Sequence, residues 1–214
     1  GGLKPEVLVD VDVETYEGSN GARIVNENAT LDTTVVYPQK VTTYYNNMWA
    51  LSDMIEYIPG SGKENENVHR RVWFETEPLA KTKMIVAMDV HRTGTEARYV
   101  DYKYYDKYVK MTFQDGTVML VNLTDDYSKE INAGNISFTG VAAVYNDESV
   151  MLVSGTSLKR GSKKLISSDV TSSVVIGKNE VSLSSREKAN ITIDTANEYL
   201  AGCENITIEK GYEI

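Results

Sequence analysis

Hydrophobic and polar positions alternate with a period of two along most of the chain, as they do in half-buried β-strands. In residues 6–16, Val7, Val9, Val11 and Val13 fall on one face, and Asp10, Asp12 and Glu14 on the other. Glu17-Gly18-Ser19-Asn20-Gly21 ends this segment as a turn. Residues 31–37 predict a second strand, stopped by Pro38, and 41–45 a third. Residues 68–76 and 83–90 predict two more, followed by a turn at Thr93-Gly94-Thr95 and a tyrosine-dense stretch over 97–108. The sharpest local signal is YVKMTFQDGTVMLVNL, from Tyr108 to Leu123. Asp115-Gly116 favours a two-residue type I′ hairpin turn. That turn would pair Phe113 with Val118 and Met111 with Leu120, with Val109 on the same face and Lys110, Thr112 and Gln114 on the other.

A further hairpin is expected where 141–145 and 150–154 flank Asn146-Asp147. Residues 48–58 are ambiguous between a strand and a short helix, because Leu51, Met54, Ile55 and Ile58 have helical spacing. After Leu158 the pattern changes to short strands, near 163–167, 172–176, 180–184, 190–194 and 205–209. NITID from Asn190 and NITIE from Asn205 are alike, but two copies are too few for a solenoid. The sum is an all-β protein: an antiparallel β-sandwich over 1–158, with a small short-strand sheet over 159–214 packed on it or continuous with it. Helix should stay below about 15%, well under the average for globular domains.

Composition narrows the functions. The chain has 214 residues, 41% of them hydrophobic and 25% charged, as in an ordinary globular protein. A formal net charge of −9 disfavours non-specific nucleic-acid binding, and no apolar run reaches the length of a membrane span. The single cysteine, Cys203, excludes an internal disulfide. Fourteen tyrosines against three phenylalanines and two tryptophans suit strands with one wet face, of the kind found in sugar-handling extracellular β domains.

Catalytic signatures are scarce. His69 and His91 have no neighbour at zinc-ligand spacing. No G-x-S-x-G or complete phosphate loop is present, and 31 acidic residues single out no carboxylate pair. Asp10, Asp12 and Glu14 project together and offer the oxygen ligands calcium prefers, although such a stripe is also the ordinary outer face of an edge strand. The most suggestive cluster is HRRVWF from His69 to Phe74. On a strand, His69, Arg71 and Trp73 share a face, so an indole could stack on a sugar ring while a guanidinium grips a carboxylate. Trp49 with Tyr44, Tyr45 and Tyr57 offers a second aromatic platform. The basic run Lys159, Arg160, Lys163 and Lys164 reads as a solvated loop that a polyanion could also use.

VHRRVWFE, then MIVAMDVHRTG, the Asp-Gly hairpin, VAAVYND and VSGTSL follow one another in an order that resembles the β-sandwich region of heparinase II/III-like polysaccharide lyases. In that family catalysis depends on an α-helical toroid, and this sequence has no series of long amphipathic helices to build one. The resemblance therefore implies a non-catalytic accessory portion of a larger exported bacterial enzyme. Its expected partners are a polysaccharide, with uronic-acid polymers as one class, and the rest of that larger polypeptide. No cofactor beyond calcium is expected. The other readings are a structural or adhesive cell-surface module and a free-standing lyase.

Overall fold

A computed structural model of the chain describes residues 12–15, 20–25, 27–46, 71–78, 83–96, 100–178, 180–194 and 199. Among these there is no α-helix, and every strand pairing is antiparallel. The fold is all-β, as the alternating pattern predicts. No helix among the described residues is long and apolar enough to cross a membrane. The ambiguous segment 48–58 and the repeat at 205–209 lie outside the described residues. The chain divides into two compact units, Gly1–Arg98 and Tyr99–Ile214.

Among its described residues the first unit holds two sheets. One has four strands in the order β1 (Asp12–Thr15), β2 (Gly21–Val25), β3 (Ala29–Tyr37) and β6 (Ile85–Arg92). The other pairs β4 (Thr42–Asn46) with β5 (Arg71–Glu75). β3 stops at Tyr37, where Pro38, which has no N–H to donate, follows through a cis peptide. On β6 the outward side is the apolar one: Met88 and Val90 are exposed, while Asp89 and His91 are half-buried.

The described strands of the second unit form one curled sheet. Its strands are β7 (Val100–Tyr104), β8 (Tyr108–Phe113), β9 (Val118–Asn122), β10 (Ile131–Ala133), β11 (Ile136–Tyr145), β12 (Ser149–Arg160), β13 (Lys163–Gly177), β14 (Glu180–Ser185) and β15 (Ile191–Ile193). The order across the sheet is β14-β13-β12-β11-β9-β8-β7, with β10 on β11 and β15 on β13. Residues 155–165, where the change of pattern suggests a domain boundary, form the end of the β12–β13 hairpin, so the C-terminal strands continue the same sheet. The expected strands 163–167 and 172–176 are likewise two ends of β13.

One register differs from expectation by a single residue. Thr112 lies opposite Val118 and Lys110 opposite Leu120. Gly116 sits at φ 84° and Asp115 is not left-handed, so the hairpin closes with a three-residue loop in which the Phe113 amide bonds the Thr117 carbonyl at 2.8 Å. A one-residue slip reverses faces. Val118 and Leu120 therefore enter the main core, while buried Val109 and Met111 lie on the opposite side of the sheet.

The curl comes from two glycines. β11 and β12 cross at Gly140 and Gly155, which are directly paired, and both partners of β12 change register around this point. Gly140 has φ 147°, and a methyl placed there would lie 2.7 Å from the Gly155 Cα. A methyl on Gly155 would overlap the Thr139 carbonyl oxygen. Only glycine permits such an approach. The carbonyl of Gly140 is taken by the buried Asn122, whose Nδ2 donates at 3.1 Å, and whose Oδ1 accepts from the Thr124 amide and hydroxyl. On either side of the crossing, Leu120, Leu152, Val174 and Ile176 meet Phe138, Leu158, Leu165 and Ile166 in one core.

Gly155→Ala should therefore destabilise this unit by about 3 kcal/mol, the upper end for overpacking. Gly177→Ala should change little, since a methyl there meets nothing closer than the Ser149 Cβ at 4.0 Å. Urea unfolding of both variants checks this, and equal midpoints would contradict it.

Candidate functional site

The predicted platform falls on the β4–β5 pair. Trp73 is in register with Tyr44, and Arg71 with Asn46. Their side chains, and His69, Trp49 and Tyr57, lie outside the described residues. Of the proposed calcium ligands, Asp12 and Glu14 lie on β1, with Glu14 in register with Arg23. Asp10 lies outside the described residues. Among the described residues, no group of three or more Asp, Glu, His or Cys side chains is placed to hold a metal ion.

The basic run is not a free loop. Lys159 and Arg160 end β12, and Lys163 and Lys164 begin β13. Lys159 pairs with Glu130 at 2.5 Å, and the Arg160 guanidinium donates to the Tyr199 hydroxyl at 2.6 Å. These contacts occupy two of the four cations.

A polar cluster that the spacing of residues does not reveal sits on the four-stranded sheet. Register places Asp32 beside Arg23 on one side and Asp89 on the other, with His91 two residues along β6. Arg23 grips Asp32 through Nε at 2.7 Å and a second nitrogen at 3.3 Å. His91 Nε2 lies 2.8 Å from Asp32 Oδ2. Burial alone would push the Asp32 carboxyl up, but hydrogen bonds from Arg23 and His91 hold it below its ordinary value. The hydrogen bond to Asp32 is the main cause that raises His91, with the Arg92 carbonyl and the Asp89 charge adding to it against burial.

An acid, an imidazole and a hydroxyl in line invite comparison with a nucleophilic triad. The hydrogen bonds run differently. His91 Nδ1 faces the Arg92 carbonyl at 3.2 Å and Thr95 Oγ1 at 3.3 Å, while the Thr95 hydroxyl already donates to that carbonyl at 2.6 Å. The Thr95 hydroxyl is committed to a backbone carbonyl and not to the imidazole, and the ring fastens the Arg92–Thr95 turn to β3.

Two features of the second unit suit a ligand better. At the β7–β8 turn, the Tyr105 and Tyr108 rings stack at 4.5 Å and 11°. Tyr108 packs against the core, Tyr105 is exposed, and the Lys103 ammonium lies 5.6 Å from the Tyr105 centroid. Tyr102 and Tyr104 meet edge to face nearby on β7. Burial, and less strongly Tyr105 and Tyr145, raise the Tyr108 hydroxyl above its ordinary value, so it stays neutral. The tyrosine density over 97–108 marks this patch in the sequence.

The second feature is an open polar cleft of about 750 Å³ at the bend of β13. Between Ser157 and Gly155 of β12 lies only Thr156, while β13 spends residues 168–171 over the same interval. The excess chain bulges out, and β14 and β15 leave β13 on either side of it. Ser154, Ser173, Ser184, Asp169, Arg186 and Glu187 are among its lining residues. The sequence signals this place only as a break between two expected strands.

No family model matches this chain, and comparison with curated proteins finds no relative.

The Asp32–His91 pair should make stability depend on pH. A raised histidine contributes fully below its ordinary value, about 6.5, and loses that contribution as pH rises through its raised value. A lowered carboxyl contributes above its ordinary value and loses that contribution as pH falls through its lowered one. Urea unfolding of the wild type should show stability declining from pH 6 towards pH 9, and His91→Gln should flatten that decline. An identical decline in both proteins would contradict the assignment.

Proposed function

We propose that this chain is a non-catalytic, carbohydrate-interacting β-sandwich module of a larger exported bacterial polysaccharide-degrading enzyme. The observation that carries this reading is the stacked Tyr105–Tyr108 pair, with its exposed outer ring beside Lys103. An aromatic ring fixed by stacking offers a flat apolar face to the C–H face of a sugar with little rotamer entropy left to lose. Lysine beside it adds a hydrogen-bond donor and suits an acidic sugar. The β4–β5 pair, which bears Arg71 and Trp73, is the further contact region the sequence nominates. The Thr95 hydroxyl beside His91 donates to a backbone carbonyl and not to the ring, which favours binding over cleavage.

A structural or adhesive cell-surface module is the second reading. It is favoured by Met84, Met88 and Val90, which leave apolar area exposed on the first unit as a protein contact would.

Affinity electrophoresis and calorimetry against plant, algal and glycosaminoglycan polysaccharides separate the two. Binding to at least one polysaccharide is expected, with Tyr105→Ala weakening it about fivefold, the equivalent of roughly 1 kcal/mol for an aromatic contact. A folded protein that binds none of them would leave the adhesive reading standing.

A further inference from the structure

We infer that the cleft at the β13 bend is a second saccharide site, one that takes a neutral, hydroxyl-rich face through hydrogen bonds alone. The inference rests on the carbohydrate reading, and it concerns a place distinct from the tyrosine patch. The volume, about 750 Å³, falls within the range of small-ligand sites. No aromatic side chain lines the cleft, so stacking has no part in it.

The lining combines hydrogen-bond donors with acceptors. Ser173 and Ser184 are directly opposed across β13 and β14. Ser154, held at φ 45°, points its amide at Ser173 Oγ, 3.0 Å away. That hydroxyl accepts from the chain and keeps its own hydrogen to give. The Ser184 hydroxyl and the Arg186 guanidinium have no partner among the described residues, so they too are donors without an acceptor. Asp169, in the same lining, is pinned by the Asn190 amide at 2.8 Å and Nδ2 at 2.6 Å, which orient its carboxylate. The Glu187 backbone is held by its amide, which donates to Ser185 Oγ, and Ser185 in turn donates to the Thr171 carbonyl.

A sugar hydroxyl both donates and accepts, and this is the pattern it requires. Two carboxylates against one guanidinium would repel a polyanion. The chemical class is therefore a neutral saccharide, whereas the Lys103 side of the tyrosine patch suits an acidic one.

The test is calorimetry of the full chain with short oligosaccharides of glucose, mannose and galactose, and with an oligogalacturonate of matched length. Arg186→Ala and Ser184→Val are the variants, since both residues are exposed and neither takes part in a described side-chain hydrogen bond, so folding is preserved. A neutral oligosaccharide should bind, and each substitution should weaken it about fivefold to tenfold. Its affinity should change less than about twofold on adding salt. If neutral binding survives both substitutions but is lost in Tyr105→Ala, the cleft is not the site, while the module reading stands. If the galacturonate competes for the cleft with a steep salt dependence, the assigned chemistry is wrong. If no saccharide binds at all, the cleft assignment and the module reading fall together.

Discussion

The close approach of Gly140 and Gly155 is the constraint from which the second unit takes its shape. A strand pair normally keeps its chains near 5 Å apart and its twist gradual. Here two residues without side chains let β11 and β12 cross more tightly, and the sheet turns over on itself. The bend brings Phe138, Leu158 and Ile166 against Leu120, Leu152 and Val174, so that one curled sheet supplies both layers of a core. At the bend the Gly140 carbonyl accepts from a side chain. Asn122 exists at 1% exposure to take it, and leaving that acceptor unpaired would cost about 1–3 kcal/mol.

The same bend makes the cleft. Where β12 shortens its path, β13 must lengthen its own, and residues 168–171 are the surplus. Their backbone cannot pair with β12, so Ser168 and Ser172 hydroxyls and the Val170 carbonyl satisfy one another locally. Polar lining and irregular strand are thus consequences of one packing event. Fold and proposed binding surface are coupled through it.

Much of the fold is legible in the sequence because alternation survives wherever one face of a strand is covered. β3, β4, β8, β9, β11 and β12 lie where the alternation puts them. Register is another matter. Asp115-Gly116 locates the β8–β9 turn, but whether the glycine closes a two- or a three-residue loop decides which face every neighbour takes. At β8 and β9 both sheet faces bury apolar groups, so hydrophobicity alone does not distinguish the registers. The Arg23–Asp32–His91 cluster joins three strands over separations of 9 and 59 residues, which no local spacing encodes. The cleft is hidden for a related reason. Its serines look like a loop between two strands, because the sequence records the interruption and omits the partner that causes it.

The Gly140–Gly155 crossing unites both ends of the long β12–β13 hairpin in a single core. Native-state hydrogen exchange followed amide by amide tests it most directly. The buried amides of β11, β12 and β13 on the two sides of the crossing should open together, with one common free energy and one denaturant dependence, as a single cooperative unit does. Two groups that exchange at separate free energies, divided at residues 140 and 155, would contradict the account.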